Sequence, residues 1–143
     1  MRFLKQSLLI SALLLPSFAM ALSVYQVDAE LFFAGQQMTK SSYVILEGDS
    51  SRFEERGEGG YQLILSVDEN ANNTYTIRSQ ILSDNGKQLI LLGTPSIQVQ
   101  PDSVGQVEFE AESVGVVQLS VNLVRHEQVD ESELTECEYR ECQ

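Results

Sequence analysis

The feature that most constrains this chain is an alternation of apolar and polar residues that recurs along most of its length. From Tyr25 the odd positions Tyr25, Val27, Ala29, Leu31 and Phe33 are apolar or aromatic, and Gln26, Asp28 and Glu30 separate them. A period of two suits an extended strand, whose successive side chains point to opposite faces, and does not suit a helix. The pattern returns in Tyr61, Leu63, Leu65 and Val67, and again in Val117, Leu119, Val121 and Leu123. Val107, Phe109 and Ala111 likewise alternate with Glu108, Glu110 and Glu112. Each run offers one face to a core and one to water.

Turn chemistry divides the runs. Met38 to Leu46 is a less regular strand carrying Tyr43, Val44 and Ile45, and Asn70 to Asn73 is a turn cluster before Tyr75, Ile77 and Ile81. Asn85-Gly86, between Ile81-Leu82 and the run Leu89 to Leu92, predicts a type I′ hairpin with both residues at positive φ. Gly93-Thr94-Pro95 ends that strand, and Ile97 and Val99 begin another before Pro101-Asp102. Seven or eight short strands with short connections predict an all-β chain, a single antiparallel β-sandwich over residues 22–126. Two segments fall outside the pattern: Glu47 to Gly60, charged and glycine-rich, which reads as a long loop, and an acidic tail over 127–143.

The first 21 residues read as a signal peptide rather than as part of the fold. Arg2 and Lys5 precede the apolar run Leu8 to Leu15, and Pro16 leads to Ala19-Met20-Ala21, with small residues placed for cleavage between Ala21 and Leu22. The run is shorter than the ~20 residues of a spanning helix, so no stable membrane anchor is expected after cleavage. The expected location is therefore periplasmic or secreted, with a bacterial periplasm the first choice. In an oxidising compartment Cys137 and Cys142 read as a disulfide pair, within the chain or between chains. An intrachain bond at this spacing predicts a turn, because on a helix their Cα atoms would lie beyond the ~7 Å bridging limit.

Charge narrows the function. With 21 Asp and Glu against 9 Lys and Arg the formal charge is −12, and the leader removes two of the basic residues. Phosphate neutralisation needs clustered Lys and Arg, so no nucleic acid is expected as a partner. A catalytic constellation is also missing from the sequence. His126, the only histidine, stands beside Glu127 at the end of the last strand, and there is neither a Gly-x-Ser-x-Gly elbow nor a Cys-x-x-Cys. Glu54-Glu55 and the row Glu108, Glu110 and Glu112 are carboxylate pairs, but alternate positions on a strand point to solvent when the other face is the core. The tail, with its Asp, Glu and Cys, lacks the spacing of a calcium loop or a zinc site. No catalytic residue, cofactor or metal ligand is assigned.

The stretch Leu92-Gly93-Thr94-Pro95-Ser96-Ile97-Gln98-Val99, followed by Gly105-Gln106-Val107-Glu108-Phe109-Glu110, resembles a segment of the β domain of bacterial secretins. These are the outer-membrane ring proteins of secretion and pilus systems. The resemblance spans Tyr61 to Val124 and implies a stand-alone periplasmic domain with a related sheet. The turn Pro101-Asp102-Ser103-Val104 departs from the family, and neither ring-building domains nor long membrane strands accompany it, so it implies no pore. The expectation is a non-enzymatic protein-binding or envelope-assembly module with a protein partner in the envelope. The alternative is a module that binds a small ligand or divalent cation at the acidic tail or a sheet-end pocket.

Overall fold

The computed structural model describes the backbone of residues 21–130 and the side chains of 23–124. Nine strands form two antiparallel sheets packed face to face: β1 Ala21–Phe33, β2 Gln36–Leu46, β3 Ser50–Glu55, β4 Gly60–Glu69, β5 Tyr75–Asp84, β6 Leu89–Gly93, β7 Ser96–Val99, β8 Val104–Ala111 and β9 Gly115–Asp130. One sheet has the order β2-β1-β9-β8 and the other β3-β4-β5, with β6 and β7 both on the far edge of β5. The alternating residues of β1, β4, β5 and β9 fill the space between the sheets. Tyr25, Leu31, Leu63, Ile77 and Leu119 are fully buried there. The expected all-β sandwich is therefore the fold.

The two halves of the chain are built alike. β1–β4 and β5–β9 trace the same path, with β6 and β7 together standing for β2. The pairs Tyr25↔Ile45 and Val27↔Tyr43 answer to Tyr75↔Val99 and Ile77↔Ile97. The register shift at Leu31/Phe32 recurs at Ile81/Leu82. In the other hairpin of each half, Leu63 and Leu65 on β4 occupy the places of Leu119 and Val121 on β9. Even the turns agree: Gly48 and Asp102 lie at φ 80° and 62°, and Gly59 and Gly115 at 79° and 85°. Each sheet thus joins the first hairpin of one half to the second hairpin of the other, and an approximate twofold axis exchanges the sheets. The equivalent Tyr25 and Tyr75 meet edge to face, their ring centroids 5.7 Å apart.

Three sequence expectations change. Glu47 to Gly60 is not a long loop, because its middle forms the edge strand β3, paired with β4 from Ser50↔Ser66 to Glu55↔Tyr61. Having a strand on one side only, β3 is mostly exposed and carries no apolar row to reveal it. The β5–β6 turn also differs from type I′. Only Gly86 has positive φ (88°), as in a type II′ turn led by glycine. The Asn85 side chain accepts from Lys87 N and Gln88 N, both at 2.8 Å, and so closes the turn from outside it. Finally, β9 runs on through Glu127 to Asp130, opposite Ala21 on β1.

The two sides of the sandwich close differently. Where β7 meets β8, a Cβ on Gly105 would stand 2.4 Å from Ile97 Cγ2 and 2.6 Å from Val99 Cγ1, and one on Gly93 would stand 2.8 Å from the Phe109 ring. Where β2 meets β3, the equivalent positions are Ser51 and Thr39, which carry side chains. Gly105→Ala is expected to destabilise the protein by about 1–3 kcal/mol through overpacking. Ser51→Ala should stay within about 0.5 kcal/mol. Urea unfolding of both variants checks the contrast.

Candidate functional site: the open β2 edge

A sheet edge presents unpaired backbone N–H and C=O groups, and most proteins blunt it with charge, proline or irregularity. Three of the four edges here are blunted. Glu108 and Glu110 stand exposed on β8, and β3 is short and carries Arg52, Glu54 and Glu55. The β6–β7 edge is broken at Thr94-Pro95, where Pro95 holds the place that Ser41 holds in β2. Proline supplies no N–H to the ladder. Its carbonyl still accepts from Ser79 N at 3.0 Å and Ser79 Oγ at 2.8 Å, so the pair survives by half.

β2 is the exception. It extends from Gln36 to Leu46, with a bulge at Met38 where its register to β1 shifts, and carries one charged residue, Lys40. Glu47 N donates to Ser23 O at 2.9 Å, which makes Ser23/Glu47 a hydrogen-bonded pair at the end of the β1–β2 ladder. Hydrogen-bonded pairs alternate with the other kind along an antiparallel ladder. Ile45, Tyr43 and Ser41 therefore spend their backbone groups on β1, while those of Val44, Ser42 and Lys40 point off the edge. Val44 is 69% exposed.

Beside this edge, a groove of about 460 Å³ crosses the outer face of the sheet from β2 to β8, lined by Asp28, Lys40, Ser42, Val104, Ser120 and Asn122 among others. Ser42 Oγ donates to Asp28 Oδ1 at 2.5 Å there, and Lys40 Nζ lies 3.3 Å from Glu30 Oε1. Behind the edge, Tyr43 packs on Phe53 (centroids 5.8 Å apart), and Phe53 stacks on Tyr61 at 6.3 Å. Burial, with the adjacent Tyr61 next, pushes the Tyr43 phenol up to about 12, against the Thr39 and Ser41 hydroxyls. Tyr43 therefore stays protonated at neutral pH and holds the open side by packing, without offering a base.

The end of β3 is pinned by one carboxylate. Asp84, buried at the end of β5, accepts from Gly57 N at 2.9 Å, Arg56 Nε at 2.8 Å and Gly86 N at 2.8 Å. These bonds, the Gly57 N–H first, hold its carboxyl down to about 2. The clamp ties the β3–β4 turn to the β5–β6 hairpin, and so fixes where β3 stands relative to β2.

The carboxylates singled out from the sequence do not gather. Glu54 accepts from Gln62 Nε2 at 2.6 Å on the outer face of its sheet, and Glu55 lies on the opposite face of β3. Glu108, Glu110 and Glu112 are exposed along β8 and its turn. Among the described residues no group of three or more His, Cys, Asp or Glu side chains is placed to hold a metal ion. His126 falls in β9 opposite Tyr25, but its side chain, the leader, and Cys137 and Cys142 lie outside the described residues. The expected cleavage point, Ala21–Leu22, falls at the start of β1. No family model, curated protein or solved structure matches the chain.

Asp84 also sets a pH dependence. Its carboxyl is depressed on folding, so the stability it supplies is complete above the unfolded value near 4 and is lost as pH falls toward about 2. The stability gap between the natural protein and Asp84→Asn should be constant from neutral pH to about 4 and narrow below it. Urea midpoints measured across that range check it.

Proposed function

We propose that the protein is an exported, non-enzymatic module of the cell envelope that pairs β2 with an extended strand of a protein partner. The observation that carries this reading is the contrast between equivalent edges: both carry the same register shift, but Pro95 breaks one of them, whereas β2 pairs continuously from Thr39 to Leu46 and carries a single charge. Backbone pairing at an edge supplies affinity, and alternate side chains supply selectivity. Here the selecting row is Lys40, Ser42 and Val44, which continues into the groove. The signal-peptide pattern supports the envelope location. So does the secretin-like segment, which corresponds to β4–β9.

A photo-crosslinking residue at Lys40 tests the reading in a bacterial host that exports the protein, with one at Glu110 on the acidic β8 edge as control. Adducts are expected at position 40 and not at 110. Val44→Pro should abolish them, because the Val44 N–H makes no bond to β1 and its loss blocks only the outer edge. Equal crosslinking at both positions, or adducts that survive Val44→Pro, would refute the proposal.

A further inference from the structure

Resting on the edge-pairing reading, we infer that the strand taken up by β2 is the β2 of a second copy of this chain, and that β3 joins it in one twofold interface. β2 and β3 together form the open side of the sandwich. The Tyr43–Phe53 ring contact sets the middle of β3 beside the middle of β2.

Both strands complement themselves when paired antiparallel with their own copies. Pairing β2 about Ser42 over the regular stretch from Thr39 to Ile45, clear of the bulge at Met38, sets Lys40 against Val44. No like charges meet, and the Lys40 stem can cover an apolar side chain that is otherwise 69% exposed. Bringing β3 to its copy about Phe53 sets Arg52 against Glu54 and Phe53 against Phe53. Ser42 and Phe53 are neighbours through Tyr43, so one axis can serve both strands, as an isologous contact requires.

Charge favours this side over the others. Arg52 makes no ion pair among the described residues, and its nearest complement in an approaching copy is Glu54. On β8, self-pairing about Glu108 would set that carboxylate against its own copy, and pairing about Val107 would give Glu108 and Glu110 no opposite charge, in a chain of formal charge −12. A heterologous strand would need only a free edge. The self-complementary charges of β3, which has no part in accepting a single strand at β2, select a second copy.

Sedimentation equilibrium of the exported, processed chain tests this, with reductant present so that cysteine-linked dimers do not contribute. The natural protein is expected to be a dimer. Val44→Pro and Glu54→Arg should each weaken dimerisation about tenfold or more, with circular dichroism showing the fold retained. The double exchange Arg52→Glu with Glu54→Arg should restore it, which a general loss of stability would not allow. A monomeric natural protein, a dimer indifferent to both single changes, or no rescue by the double exchange would each overturn the inference. If the chain is monomeric but Lys40 still crosslinks in a Val44-dependent way, the homotypic partner falls and the capture of a strand stands. If both signals are missing, both fall.

Discussion

The fold depends on the pairing of each half of the chain with the other. β1 has its outer neighbour β2 from its own half, but its inner neighbour is β9 from the other, and β5 stands between β4 and β6–β7 in the same way. Neither half can close a sheet without its counterpart. The residues that meet across these seams, from Tyr25 and Val27 to Leu63, Ile77 and Leu119, are among the most deeply buried of the described residues. Large losses follow from cutting into such positions, because transfer and cavity terms add. The four central strands are therefore constrained together, and the four edges are left to differ.

They differ on one side more than on the other. Between β7 and β8, Gly93 and Gly105 let Phe109, Ile97 and Val99 close over the core. Between β2 and β3, Thr39 and Ser51 take the equivalent places, and Tyr43, edge-on to Phe53, and Phe53, stacked on Tyr61, pack there. Pro95 interrupts the closed side, while Ser41 keeps the open side in register. The Asp84 clamp then holds β3 at the margin of that side, where its half-exposed Phe53 and unblunted neighbour β2 face outward together.

Alternation revealed the strands because most of them bury one face, and burial is what the period of two records. It failed for β3. Ser50 to Glu55 has neither a second neighbouring strand nor a buried row, and its one apolar residue, Phe53, is only half-buried against Tyr43 and Tyr61. The hairpin at Gly86 was misread by one position for a different reason: Asn85 acts through its side chain, which leaves the backbone role to glycine and lysine. The internal repeat was legible only in part. Tyr25 and Tyr75, Glu54 and Glu108, or Gln62 and Gln118 are identical, but the spacing drifts between hairpins and most equivalent positions share only polarity. The candidate site could not be read at all, because an edge is defined by which strands lie beside it. Lys40, Ser42 and Val44 look no different in sequence from residues of a central strand.

The acidity of the chain takes its meaning from that arrangement. Spread evenly, a charge of −12 would serve solubility and oppose every self-contact alike. Instead Glu108, Glu110 and Glu112 guard β8, Lys40 offsets Glu30 and Ser42 donates to Asp28 beside β2, and Arg52 stands next to Glu54 on β3. In the proposed pairing, repulsion at the acidic margin would bias encounter toward the β2–β3 side before any backbone bond is made, since complementary charge acts chiefly on orientation and on-rate. A duplicated sandwich has two equivalent margins. Here one carries glycine, proline and acid, and the other presents unpaired backbone groups, the exposed Val44 and the opposite charges of Arg52 and Glu54, which is why the proposed pairing falls on it.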